Sequence, residues 1–409
     1  MFLPPAQRWI RYNVRMSRYR LQPTQTQEAA LLRHCADARY VWNLCVEQES
    51  WWRAGRGRMP GFAERCRQLT AARQDNPWLA EGSVIVQQQA IRDHAQAMTA
   101  FFNGTHRRPT WRKAGRDEGF RIVHLQPGDV RRLSRHAGEV CIPKAGRVRF
   151  RWSRAVRAEA KSCRITRDRA GRWHVAFAVI PDPVPPPGTG QVVGVDRGVT
   201  VSAALSTGEL LHAPGRSGRE RNRLVRLQRR LARARNGSRR RGRIKHAVAK
   251  LRAREADRRK DWAEKTSTDL ARRFDVIRVE NLDITGMTRS ANGSVERPGR
   301  NVRAKAGLNR GILGSCWGVL VRRLQDKAPG RVHKIHPAYT SQRCSACGRV
   351  DAKSRKSQAV FVCTSCGYAG HADVNAARNI AAGHAVTARG RTGPPGRRNR
   401  EPQLVLLPV

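Results

Sequence analysis

Four cysteines constrain this chain more than any other feature. The segment CSACGRVDAKSRKSQAVFVCTSCG holds Cys344, Cys347, Cys363 and Cys366 as two C-x2-C pairs with fifteen residues between them. Each pair closes a tight knuckle whose amides turn toward sulfur, and Gly348 and Gly367 follow the pairs, as that turn requires. This is the spacing of a zinc ribbon. Four thiolates close a tetrahedral shell, so a Zn²⁺ held there is structural and not catalytic. A redox pair is the competing reading, but two pairs at this interval argue against it. The remaining Cys35, Cys45, Cys66, Cys141, Cys163 and Cys316 are scattered, and core filling is expected of them. With no further pairing pattern, a reducing compartment is expected.

Charge sets the second bound. Lys plus Arg number 81 against 31 acidic residues, a formal net charge of +50 over 409 residues. Self-repulsion on that scale works against compactness unless a polyanion neutralises it, and nucleic acid is the natural partner. A membrane surface fits less well, because the basic residues run through the whole chain and not through one amphipathic segment. No apolar run of about 18 residues is present to span a bilayer. The start, MFLPPAQRWIRYNVRM, lacks the apolar core and cleavage site of a signal peptide. A cytoplasmic, nucleoid-associated protein of two or three domains is expected.

Residues 25–105 read as helices, capped by Thr24 or Thr26, with Leu31, Ala38, Val41, Trp42 and Cys45 at helical spacing. A second helix is expected over Ser83–Phe102, with Ile85, Gln89, Ile91, Ala95, Met98 and Phe102 on one side. Short strands are expected at Arg18–Leu21, Phe120–Val123, Val140–Pro143, Val148–Trp152, Cys163–Thr166 and Trp173–Val179. This order fits a β-barrel-like unit interrupted by a helical insertion. PDPVPPPGTG, residues 181–190, is a linker by composition. Beyond it, Val192–Asp196 and Val199–Leu205 read as strands around a tight turn, with Gly208–His212 as a third. Residues 219–274 are helical and very basic, with apolar stripes at Leu224, Leu227 and Leu231 and at Ile244, Val248 and Leu251. RRLARARNGSRRRGRIK has almost no compensating carboxylates, so phosphate contact is favoured over a merely solvated face. Val276–Val279 and Val332–Ile335 read as strands, Arg289–Leu308 as a mobile basic loop, and Gly311–Lys327 and Ala372–Ala382 as helices. A disordered tail is expected after Gly383.

Three acidic residues stand at the ends of rigid elements. Asp196 closes the strand VVGVD, Glu280 closes DVIRVE, and Asp373 opens the helix DVNAARNI. Strand ends in a helix-flanked sheet gather at one edge, so the three can meet. Phosphodiester hydrolysis needs hard cations held by such oxygen ligands. Taken singly, Asp196 is an ordinary turn residue and Asp373 an ordinary helix N-cap; the conjunction is what carries weight. His371 reads as a packing or phosphate-contacting residue before it reads as a ligand.

The blocks GVDRGVT, RVENLDITGM, PAYTSQRCSACG and CGYAGHADVNAARNI, in this order, resemble the signature blocks of the TnpB family and of the related compact type V CRISPR effectors. YRLQPTQTQEAALLRHCADARYVWN and FFNGTHRRPTWRKAGRDEGFRI resemble that family's early stretches, so the likeness spans about residues 16–382. The resemblance implies a multidomain α/β plus β architecture. An RNase H-like RuvC nuclease domain (183–342 and 372–385) would carry an inserted zinc ribbon (343–371). A β-barrel-like wedge domain (1–24 and 106–182) with a helical recognition insertion (25–105) would precede it, and a basic tail (386–409) would follow. It implies Asp196, Glu280 and Asp373 as the catalytic acids holding two Mg²⁺ ions (Mn²⁺ as a substitute), and the four cysteines as the zinc ligands. It implies a guide RNA that pairs with one strand of a target double-stranded DNA, cleaved by a monomeric ribonucleoprotein. Two departures stand out. Arg197 occupies a position that is usually apolar, where it is expected to loosen packing or touch nucleic acid. The family pattern begins near Met16, making Met1–Arg15 an extension or a mis-assigned start. A CRISPR effector of the same chemistry and a nuclease-silent RNA-guided repressor are the alternatives. A transposase acting through a covalent tyrosine wants an HxH pair, and none is present.

Overall fold

A computed structural model describes residues 15–51, 59–156, 160–179 and 182–383. The expected tail, 386–409, and residues 1–14 of the N-terminal extension lie outside these ranges. The chain divides into two compact units, Met1–Pro181 with Leu224–Leu251, and Asp182–Arg223 with Arg252–Val409.

In the first unit, β1 (Arg15–Arg20) is followed by helices α1 (Gln25–Trp51), α2 (Phe62–Asp75), α3 (Pro77–Ala80) and α4 (Val84–Phe102). Strands β2 (Gly119–Val123), β3 (Val130–Arg132), β4 (Ala137–Ile142), β5 (Gly146–Arg151), β6 (Ser162–Arg167) and β7 (Trp173–Val179) come after them. They form an antiparallel sheet ordered β1-β7-β6-β2 and a three-stranded sheet β3-β4-β5, joined by a single bridge between Leu21 and Phe150. Alternation sends Phe120, Ile122, Val148, Phe150, Ile165, Val175 and Phe177 inward, where the Tyr19 ring meets Phe150 and Phe177 edge-on. Thr24, and not Thr26, caps α1. Its hydroxyl accepts from the Gln27 amide while the Gln27 side chain accepts from the Thr24 amide, a reciprocal box.

The buried stripe of α4 differs from the expected one. The expected Gln89, Ile91 and Met98 face inward, joined by Val86, Gln87, Ala90 and His94, whereas Ile85 and Phe102 are exposed. Two polar residues shift the stripe because each finds partners inside. Gln87 accepts from Arg73 and donates to the Leu79 carbonyl, and His94 sits against Arg65 and Glu49. Helices α5 (Gly218–Ala232) and α6 (Arg239–Arg273) pack Leu224 and Leu227 against Ile244, Val248 and Leu251, with the turn at Asn236–Ser238 between them.

The second unit is built on a five-stranded sheet. Its strands are β8 (Val192–Asp196), β9 (Ala203–Leu205), β10 (Leu210–Leu211), β11 (Val276–Glu280) and β12 (Val332–Ile335), ordered β10-β9-β8-β11-β12. The first three form an antiparallel meander; β11 joins β8 in parallel and β12 joins β11 in parallel. The end of the Pro- and Gly-rich linker is pinned here, because Asp275 accepts from the amides of Gly188 and Gly190. Residues 199–202, expected as strand, instead turn back so that the Gly198 amide reaches the Val201 carbonyl. The expected basic loop is also shorter. After α7 (Ile284–Met287), helix α8 (Val302–Gly314) begins, because Lys305 and Asn309 donate to the carbonyls of Met287 and Thr288 and dock it. The helix expected over Gly311–Lys327 breaks at Ser315–Cys316, where Cys316 is left-handed (φ 62°), before α9 (Trp317–Lys327). The cysteine segment carries the hairpin β13 (Val360–Val362) and β14 (Ala369–His371), leading into α10 (Ala372–Ala382).

Side chains alternate along β8, so Val193 and Val195 enter the core while Gly194 and Asp196 share the other face. α10 lies directly on that face. A Cβ on Gly194 would sit 2.0 Å from the Ala377 carbonyl oxygen and 2.4 Å from the Ala381 amide nitrogen. Only glycine admits backbone-to-backbone contact this close. Gly194→Ala is therefore expected to destabilise the second unit by about 1–3 kcal/mol through overpacking. Gly242→Ala, at an open position near the start of α6, should instead gain roughly 0.5–1 kcal/mol. Thermal denaturation of the two variants reads the opposite signs.

Candidate functional site

The contact of α10 with β8 decides where the acidic residues lie. Ala377 and Ala381 cover Gly194, so the helix N-terminus projects past the end of β8, and a Cβ on Gly198 would be 3.9 Å from Asp373 Oδ2. Val195 pairs with Val279 in the parallel ladder, which brings the ends of β8 and β11, and with them Asp196 and Glu280, side by side. The three sequence-predicted acids therefore come to one sheet edge. Asp196 is half-buried by surface yet deeply enclosed. Burial holds its carboxyl well above the usual carboxylate range, the charges of Glu280 and Asp373 push it higher, and Arg355 opposes them. Among the described residues, the three carboxylates are not gathered as tightly as the cysteine ligands below. Two of them direct an oxygen at a protein donor: Asp373 Oδ1 accepts from Arg355 Nη2 at 3.0 Å, and Glu280 Oε1 from Thr340 Oγ1 at 2.7 Å.

His371 has a definite task. It is the N-cap of α10, its Nδ1 accepting from the Asp373 amide at 3.2 Å. Asp373 thus stands in the first turn and not at the cap, and its carboxylate is released from capping. Arg197 is 6% exposed, too buried to meet nucleic acid, and its guanidinium donates to the Glu280 backbone carbonyl. It ties the end of β8 to the end of β11. Burial lowers its pKa, while the charges of Glu280 and Asp196 work the other way.

Arg355, Thr340, Asn375 and Asn379 went unnoticed in the sequence. Asn375 and Asn379 hold α10 to the chain entering the cysteine segment. Asn379 donates to the carbonyls of Thr340 and Arg343, and Asn375 donates to that of Arg343 while accepting from the Ser345 amide. The two asparagines stand four residues apart on α10, inside the block CGYAGHADVNAARNI, and Thr340 lies inside PAYTSQRCSACG, but neither block assigns them a task; nothing in the sequence marks Arg355.

The four cysteines meet as their spacing predicts. Their sulfurs all lie within 4.8 Å of one another, with Cys344 Sγ 3.7 Å from Cys366 Sγ and Cys347 Sγ 3.6 Å from Cys363 Sγ. Four sulfurs bound tetrahedrally at ~2.3 Å from zinc would stand ~3.8 Å apart, so the donor set fits Zn²⁺. Gly348 and Gly367 take φ of 77° and 71° in the knuckles. The amides of Cys366 and Ser365 donate to Cys363 Sγ and hold its thiol down to about 6. Phe361, fully buried, packs with Cys344, Cys363 and Ala372, so the cysteine segment and the start of α10 share one small core.

Three family models match. "Helix-turn-helix domain" covers residues 15–58, "Probable transposase" 174–291, and "Cas12f1-like, TNB domain" 317–380. A protein of Escherichia coli (strain K12) named "Putative RNA-guided DNA endonuclease InsQ" is 34% identical over 393 residues, covering 93% of this chain and 95% of that one. A Streptomyces pristinaespiralis protein named "Putative RNA-guided DNA endonuclease" is 31% identical over 388 residues, covering 92% and 91%. The solved "Cryo-EM structure of the Cas12f1-sgRNA-target DNA complex" aligns with a TM-score of 0.51 at 14% identity, over 87% of this chain and 82% of that one, a likeness of fold. With a third of its residues shared along nearly the whole of a relative, and the motif blocks in the same order, this chain belongs to the TnpB family.

Proposed function

We propose that this protein is an RNA-guided DNA endonuclease whose RuvC-type site hydrolyses phosphodiester bonds in a guide-complementary target. The observation that carries the reading is the position of Asp196, whose acidity is suppressed by burial and by the charges of Glu280 and Asp373. A fold keeps three carboxylates together under only partial compensation at a cost, and a hard cation relieves it. The oxygen-only donor set suits Mg²⁺, with Mn²⁺ as a substitute. Asp196, Glu280 and Asp373 would hold two such ions, which supply a polarised phosphate and an activated water. The sheet order, an antiparallel meander extended by two parallel strands, supports an RNase H-like assignment for the second unit. The paired sheets with α1–α4 between β1 and β2 support a wedge domain with a helical recognition insertion, and the cysteine hairpin a zinc ribbon.

The chain's own residues do three things in this reading. Arg197 and the β8–β11 ladder keep two carboxylates at adjacent strand ends. The backbone contact at Gly194 delivers the third. The exposed Arg226, Arg229, Arg230, Arg239, Arg240 and Arg243 of α5 and α6 offer phosphate contacts that do not read sequence. Sequence reading then falls to base pairing between the guide RNA and one DNA strand, with the protein holding the heteroduplex by shape and charge.

Asp196→Ala, Glu280→Ala and Asp373→Ala are each expected to reduce cleavage of a guide-matched DNA by at least about a thousandfold while target binding stays within a few fold. A gel-shift and a cleavage assay on the same complexes separate the two; retained cutting by Asp196→Ala would sink the site. The raised pKa of Asp196 also fixes a sign. A carboxyl whose folded pKa lies above its unfolded value favours folding below the unfolded pKa, and that contribution is lost as pH rises through the folded one. At neutral pH without added Mg²⁺, Asp196→Asn should therefore melt higher than the wild type, by roughly 2–4 °C for each kcal/mol relieved. A melting temperature equal to or below the wild type's at pH 7 contradicts this. Metal analysis should find one zinc per chain and none in Cys363→Ser. Because structural zinc contributes on the order of 10 kcal/mol to such a fold, that variant should expose residues 343–371 to proteolysis.

A further inference from the structure

Thr340 is 4% exposed and follows Tyr339, whose φ of 62° lies in the left-handed region that L side chains seldom adopt. The strained residue aims Thr340 at the sheet edge. Its hydroxyl has a single proton and two acceptors within reach, Glu280 Oε1 at 2.7 Å and the Pro337 carbonyl at 3.1 Å. The shorter, charge-assisted bond goes to the carboxylate. The Thr340 carbonyl in turn accepts from Asn379 at 2.9 Å, and Asn379 and Asn375 both reach the Arg343 carbonyl, at 2.8 and 2.7 Å. These two asparagines stand on α10, which carries Asp373, and both are nearly or fully buried. Cys344, the first zinc-type ligand, is the next residue after Arg343. A continuous chain of hydrogen bonds therefore runs from the Glu280 carboxylate through Thr340 to α10 and the root of the cysteine hairpin.

We propose that Thr340 is a positioning residue that fixes the Glu280 carboxylate relative to Asp373, so that the base of the cysteine hairpin sets the geometry of the cation site. The inference rests on the endonuclease reading and deepens it. The sheet pairing fixes the Glu280 backbone, and three rotatable bonds separate that backbone from the oxygens. The Thr340 hydroxyl restricts this freedom at Oε1. Its carbonyl and its hydroxyl tie two carboxylate-bearing elements that share no strand pairing with each other. A merely space-filling threonine would need neither a buried donor nor a strained predecessor.

Valine tests the proposal because it keeps the shape of threonine and removes the donor, while serine keeps the donor. The full-length, zinc-loaded protein is titrated with Mn²⁺ and followed by electron paramagnetic resonance, with Asp196→Asn as the background to subtract. Thr340→Val should weaken Mn²⁺ binding on the order of tenfold. With guide RNA and matched target present, it should raise the Mg²⁺ concentration for half-maximal cleavage by a similar factor, and saturating Mg²⁺ should restore most of the rate. Thr340→Ser should remain within about twofold of wild type in both assays. Wild-type Mn²⁺ affinity in Thr340→Val, or an equal loss in Thr340→Ser, overturns the proposal. Failure of the wild-type complex to cut would overturn the endonuclease reading instead, while the Mn²⁺ titration would still decide the role of Thr340.

Discussion

The approach of α10 to β8 at Gly194 governs the second unit. Hydrogen atoms alone separate the strand from the helix backbone there, and any side chain at this position would lift the helix by more than an ångström. The same contact sets the helix height over the sheet, and hence the reach of its first turn toward Asp196. Arg278 of β11 fixes the far end by donating to the Ala381 carbonyl, and Asn375 and Asn379 fix the middle. A helix held at three points along its length cannot tilt without breaking buried hydrogen bonds, each of which leaves an unsatisfied polar group behind.

Rigidity of that kind is what the carboxylates demand. Three acids near one another repel, and a loose framework would let them turn away toward solvent. Here each is restrained differently. Asp196 is enclosed and its acidity suppressed, Glu280 is held by Thr340, and Asp373 is met by Arg355. Arg197 adds a buried positive charge behind the pair of strand ends. The compensation is partial, since the acidity of Asp196 still stands far from normal. Residual frustration of this sort is a mark of sites built for a ligand and not for stability.

A net charge of +50 raises a related question about the fold as a whole. Several of the scarce acidic residues are placed against buried or half-buried arginines. Glu255, 4% exposed, lies between Arg216 and Arg259; Glu118 holds Arg39 at 2.8 Å; Glu49 joins Arg65 and His94 in a buried cluster. Burial and the neighbouring arginines keep His94 neutral, its pKa lowered to about 4, so no further positive charge enters that cluster. The arginines left over line exposed faces such as those of α5 and α6, where a phosphate backbone can meet them.

The sequence by itself determined the cysteine knuckles, the strand-end acids and the basic character of the helical pair. Each is a local property: a C-x2-C turn, an apolar run ending in a carboxylate, an arginine-rich stripe. Motif order was enough to indicate the family. Tertiary structure alone decided the rest. The buried face of α4 keeps the expected Gln89, Ile91 and Met98 but turns away from Ile85 and Phe102, because Gln87 and His94 enter the core with partners from other elements. The first half of α8, expected as loop, is helical because the donors that dock it, Lys305 and Asn309, find their acceptors near α7. His371 became a cap, and Arg197 a strand-end tie, through contacts across the sheet edge. Neither the block that contains Thr340 nor the stretch around Arg355 reveals their tasks, since a hydroxyl or a guanidinium acquires its role only from the carboxylate that folding brings to it.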